Sequence, residues 1–317
     1  MLRKSLITVL LLCLALTAWA QKIVFSPQWT AQAQFAGYYA ALQLGYYKEA
    51  GLDVEIRHPS ASSSCWNKLK SGESQAVTMQ LFSAMPLMES EGLPLVNILQ
   101  TSQQNCLMII SRKPLEHGIK SLSGLRVGRW KAGFGELIDI LDRKEGLDID
   151  WIYFIQNISL FISGAIDATM AMSYNEYCQL LMSGQQFVPE QLVYFSKIGY
   201  DIPEDAIYVR RDWYKAHKDE AHRFAEASRR GWEWCAENPE AALDIVMQQT
   251  AANKIHTSRV LQKFMLQEIL DKQLDAETGE RSFRLDPADV DFCNKLLLEY
   301  GYIKNRISYQ QLTGNED

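Results

Sequence analysis

Cysteine is sparse in this 317-residue chain, and the patterns that would give it chemistry are missing. Of the six cysteines, Cys13 lies in the N-terminal apolar run. The other five, Cys65, Cys106, Cys178, Cys235 and Cys293, are far apart, with no C-x-x-C pair and no histidine at ligand spacing. That excludes a zinc finger or a redox pair, and neither metal nor cofactor is expected. An odd count in an exported chain leaves at least one thiol unpaired, so mostly buried free cysteines are expected. The histidines His58, His117, His217, His222 and His256 are dispersed. G-x-S-x-G, H-E-x-x-H and P-loop patterns are all absent, so nothing joins a nucleophile, a base and an oxyanion donor, and the chain does not read as an enzyme. Lysine and arginine form no cluster and the net charge is −6, which argues against nucleic acid as a partner. Beyond the N-terminus no apolar stretch approaches the roughly 20 residues that cross a bilayer.

What is present begins with an export signal. Arg3 and Lys4 precede an apolar run over residues 6–16, and Ala18-Trp19-Ala20 offers small residues before Gln21. This reads as a secretory signal peptide over 1–20, with a periplasmic, soluble mature chain. Its 47% hydrophobic and 22% charged residues are those of a globular protein. Its length calls for two lobes.

The mature chain opens with a short strand, residues 22–26, then a helical stretch, 35–44, apolar on all sides and ended by Gly45. A strand over 52–57 completes a strand–helix–strand unit of a parallel sheet. The pattern helix end, glycine, buried strand occurs twice, in LKSGESQAVTM around Gly72 and in FISGAIDATM around Gly164. The chain therefore builds a similar α/β unit twice. The expected division is 21–111 for the first part of lobe one, 112–206 for lobe two, and 207–317 for the return to lobe one and a helix-rich C-terminal region. Hinges are expected near 111 and 207, at the base of a cleft.

In parallel sheets ligands sit beyond the carboxyl ends of strands. Those loops carry Trp29, Gln32, Gln34, Phe35 and Tyr38, then Ser62 and Ser63, Gln80, Trp130, Gly133 and Gly135, and lastly Tyr174, Asn175, Glu176 and Tyr177. The rings can stack on a flat solute, and the amides and Glu176 can pair with ring nitrogens or an exocyclic amine. One serine of Pro59-Ser60-Ala61-Ser62-Ser63-Ser64 caps the following helix, and another can offer its hydroxyl or N–H to an oxygen anion. No arginine can be placed on these loops, so a ring is favoured over a sulfonate.

The stretches WTAQAQFAGYYAALQLGYYKEAGLDVEI, LKSGESQAV, EGLPLVNILQ, SLSGLRVGRW, SGAIDATMAMSYNEY and FAEASRRGWEWCAENPEAALDIV occur in the order of a known family. Across nearly the whole mature chain, the sequence resembles substrate-binding proteins of thiamine-pyrimidine-precursor and alkanesulfonate importers. The resemblance to the pyrimidine branch is the stronger. It implies a type 2 periplasmic-binding-protein fold, a small-molecule solute and an ABC permease as partner. The branch's opening motif, W-x-P-N-x-x-H-x-G-x-Y, is matched at Trp29, Gly37 and Tyr39. Ala31, Gln32 and Phe35 stand where it has proline, asparagine and histidine. The expected function is capture of a thiamine-related pyrimidine by closure of two lobes. Three rivals differ in class or solute: a sensor docking on a receptor kinase, an alkanesulfonate binder, and a pyrimidine-synthesis enzyme.

Overall fold

The computed structural model describes residues 21–60, 63–131, 134–154 and 158–315. The signal peptide expected over 1–20, together with Ser62 and Gly133, lies outside the described residues.

Two five-stranded sheets organise the described chain. The first holds β1 (Gln21–Ser26), β2 (Leu52–Ile56), β3 (Ala76–Gln80) and β4 (Leu95–Gln100). The second holds β5 (Leu107–Ser111), β6 (Arg126–Trp130), β7 (Asp150–Phe154), β8 (Ala168–Met172) and β9 (Leu192–Tyr194). β10 (Asp205–Arg210) returns to the first. The strand orders are β2-β1-β3-β10-β4 and β7-β6-β8-β5-β9. In each, three strands are parallel and the fourth is antiparallel to both of its neighbours.

This duplicated plan is what the repeated glycine pattern encodes. Gly72 and Gly164 both sit at φ +79, a left-handed conformation that costs a glycine little, and each turns a helix end toward a fully buried strand, β3 or β8. Strands β3, β5 and β8 are buried at every position because they are covered on both faces.

The antiparallel strand of each sheet is the one that crosses between lobes: β5 enters the second sheet and β10 re-enters the first. Residues 107–111 therefore pair with the second sheet, whereas the sequence reading set the boundary after them, at 112. An apolar run looks the same on either side of a boundary, and only its pairing with β8 assigns it. The two crossovers run side by side. The Asn105 N–H donates to the Asp201 carboxylate at 2.7 Å and the Cys106 N–H to that of Glu204 at 2.9 Å. The N–H groups of Thr101 and Ser102 both donate to the Asp205 carbonyl at 2.9 Å.

The helix Lys218–Glu237 crosses the helix Ala36–Gln43 at very short range. A Cβ on Gly231 would stand 2.1 Å from the Gly37 carbonyl oxygen, and one on Gly37 2.2 Å from the Trp232 indole. The helix Arg259–Lys272 contacts both the turn Ala33–Phe35 and the helix Glu176–Met182, so it flanks both sides of the interlobe cleft. The five described cysteines are buried and free.

Candidate functional site

The segment leaving β1 forms one wall, and it is fixed mainly through its backbone and amides. The Gln28 N–H donates to Thr78 Oγ1 at 2.8 Å, and the Ala33 N–H to Gln262 Oε1 at 2.7 Å. His58 holds the middle of the segment, with Nδ1 2.6 Å from the Trp29 carbonyl and Nε2 2.8 Å from the Tyr39 hydroxyl. Burial pushes the imidazole down to about 4, so it is neutral at ordinary pH. A carbonyl can only accept, so Nδ1 carries the hydrogen and Nε2 accepts from Tyr39.

Three glutamines are wired to one buried acid. Gln28 Nε2 and Gln34 Nε2 donate to the two Asp205 oxygens at 2.6 and 2.7 Å, and Gln32 Nε2 donates to Gln34 Oε1 at 2.7 Å. Burial raises Asp205 to about 6 despite these donors. Gln28 and Gln32 each commit one Nε2 hydrogen to this chain of amides, and their carbonyl oxygens can accept from a solute that donates.

The opposite wall comes from the ends of β6 and β8. Phe134 stands between the lobes, its ring 6.3 Å from Trp29 and 5.5 Å from Trp130, edge-on to both. Glu176 opens the helix Glu176–Met182, its carboxylate accepting from the Met172 N–H and from Asn175 Nδ2, both at 2.9 Å. Burial pushes it up to about 7, against the pull of these two donors. Tyr174 lies beside it, raised well above its ordinary value by burial and then by the nearby acids Asp205 and Glu204.

Two joined hollows occupy the cleft. The outer, of about 490 Å³, and a deeper one of about 20 Å³ share Trp29, Gln32, Asn175 and Glu176 in their walls. The deeper hollow adds Gln34, Trp130 and Tyr174 from the sequence reading. Seven of the expected residues therefore converge, drawn from both sheets.

Others lie elsewhere. Tyr38 is fully buried, its ring 4.8 Å from Phe25 and 5.5 Å from Trp232, and Phe35 is fully buried against His58. Neither ring reaches the cleft wall, because the helical stretch is apolar all round and its rings are taken up by the core. Tyr177 points away into the second lobe's outer cluster, beside Phe187. Gly135 packs against the Arg129 guanidinium, where a Cβ would stand 1.9 Å from Nη2. Ser63 forms a backbone bridge with Ser60, and Ser64 is the helix cap, accepting from the Asn67 N–H at 3.2 Å. Gln80 lines a separate hollow of about 20 Å³ behind Phe134, with Glu136 and Glu204.

Sequence reasoning missed Gln28, Phe134, Lys254 and Gln262, all of which line the cleft. Phe134 had a local signal, since it sits between the glycines of a strand-to-helix turn. Lys254 and Gln262 had none, being more than two hundred residues from Gln32 in sequence.

This architecture, two α/β lobes with doubled topology around a cleft crossed twice by the chain, is the periplasmic-binding-protein fold. The NMT1/THI5-like family model matches residues 32–242, and the chain belongs to that family. Among curated relatives, the formylaminopyrimidine-binding protein of Halalkalibacterium halodurans is 27% identical over 233 residues, covering 69% of this chain and 68% of that one. Among solved structures, the periplasmic aliphatic sulphonate binding protein SsuA from Escherichia coli superposes with a TM-score of 0.63 at 12% identity. That match covers 93% of this chain and 99% of SsuA. The nitrate-binding protein NrtA from Synechocystis PCC 6803 gives 0.60 at 15% identity, over 90% and 83%.

Proposed function

We propose that this chain is the exported, periplasmic solute-binding component of an ABC importer, and that its solute is a planar amino-heterocycle of the thiamine-pyrimidine type. One observation carries the reading: aromatic rings and hydrogen-bond acceptors from both sheets meet at a single cleft. Trp29, Phe134 and Trp130 offer ring faces and edges, and Glu176 with the Gln28 and Gln32 carbonyls offers acceptors to an exocyclic amine. The relative that binds a formylaminopyrimidine by name supports the same solute class.

Closure bends the crossovers at 101–106 and 201–205, and the closed form is what the permease engages. The protein binds without converting its solute. Mass spectrometry of small molecules released from gently purified protein should show an aminopyrimidine, and titration calorimetry should return it unchanged and bound one to one. Tight binding of a simple alkanesulfonate with no affinity for any aminopyrimidine would replace this reading with the sulfonate one.

A further inference from the structure

The outer hollow, of about 490 Å³, runs along the cleft from Trp29, Gln32 and Glu176 to Lys254, His256 and Thr257. Its ionisable lining residues, among the described ones, are Glu176, which it shares with the deeper hollow, and Lys254 and His256, which it does not. Both Lys254 and His256 are exposed, and no hydrogen bond or ion pair engages either side chain among the described residues.

The backbone adds an independent observation. Three described non-glycine residues have left-handed φ, and two of them, Phe134 and Lys254, both at 58°, line the cleft. Lys254 follows the helix Pro239–Ala252, at a position where glycine or asparagine would be unstrained. Lysine at this position carries a conformational cost that glycine or asparagine would not.

We infer that the solute carries an anionic oxygen group, carboxylate or phosphate, on a short arm, and that Lys254, assisted by His256 and Thr257, receives it at the cleft mouth. This inference rests on the pyrimidine reading and extends it. The ring's amine faces Glu176 while the arm crosses the outer hollow, so the two ends of the solute meet charges of opposite sign. Lys254 thereby sets specificity between neutral and acidic forms of one ring.

The test is calorimetry with three probes: the hydroxymethyl aminopyrimidine of thiamine, its phosphate ester, and the matching carboxylate. The acidic probes should bind about fivefold more tightly than the alcohol, the scale of one solvent-exposed ion pair. That margin should shrink with added salt. Lys254→Asn suits the left-handed backbone, so the variant should fold and melt no lower than the parent, yet bind all three probes alike. Lys254→Arg should keep the margin. Equal affinities in the parent, or a margin that survives Lys254→Asn, would overturn the acidic arm and leave the pyrimidine reading intact. Failure of all three probes to bind would overturn both.

Discussion

At the scale of single residues the cleft depends on groups whose surroundings set their state. Glu176 is buried, accepts two hydrogen bonds, and titrates near 7, so a modest gain in donors fixes it as a carboxylate. An exocyclic amine supplies that gain. Glu176→Gln keeps the shape and removes the charge, and the lost charge-assisted bond should weaken aminopyrimidine binding by about 1.5–3 kcal/mol. Calorimetry checks it, and unchanged affinity would make Glu176 a structural acid. Trp29 divides its roles differently: its carbonyl is held by His58 whereas its indole, only half-buried, faces Phe134 across the cleft. Trp29→Ala keeps the carbonyl and removes the ring. Affinity should therefore fall about tenfold or more, while the unliganded melting temperature stays near that of the parent. A large drop in melting temperature with affinity preserved would mean that the ring supports the wall from beneath.

At the scale of elements, the glycine pair Gly37 and Gly231 decides how closely two helices pack. Gly231→Ala would place a methyl 2.1 Å from the Gly37 carbonyl and 2.8 Å from the Ala41 Cβ, and backbone cannot yield as a flexible side chain can. Overpacking of this kind should cost about 1–3 kcal/mol, read as a shift in the denaturant midpoint. Much at this scale was legible in the sequence. The strands 22–26 and 52–57, and the doubled helix–glycine–strand unit around Gly72 and Gly164, followed from local pattern because turn chemistry and burial there are local. The strand-end loops located the cleft, since parallel strands deliver their carboxyl ends to one side. What escaped was set by long-range packing. A helix apolar on all faces has no preferred side, so sequence could not separate Tyr38, in the core, from Trp29, in the wall. The allegiance of residues 107–111 depended on a partner strand some sixty residues away, and Lys254 reaches the cleft only through the tertiary fold.

At the scale of the whole molecule, the two sheets communicate through crossovers that carry buried acids. Glu204 is pushed up to about 8 by burial and then by its neighbour Asp205, with the Cys106 N–H and the Lys272 charge pulling the other way. Asp205 is raised to about 6, Glu176 to about 7, and Asp289, at the start of the helix Pro287–Glu299, to about 7. All four shifts have the same sign. A carboxyl whose folded pKa exceeds its unfolded value holds more protons when folded, so its contribution is fully present below the unfolded value and is lost as pH rises through the folded one. The stability of the unliganded protein should therefore be highest below about pH 4 as far as these groups decide it, and should decline from there toward about pH 8, by up to about 1.4 kcal/mol per pH unit for each proton released. Chemical denaturation across that range measures the slope. Glu204→Gln removes one such proton from about pH 4.5 to pH 8, so it should reduce the slope across that whole range and flatten it above about pH 7, where Glu176, Asp205 and Asp289 have already ionised. A parent protein whose stability stays level from about pH 5 to pH 8 would show that these carboxyls ionise as freely in the folded protein as in the unfolded chain. The crossovers would then hold together with both acids charged.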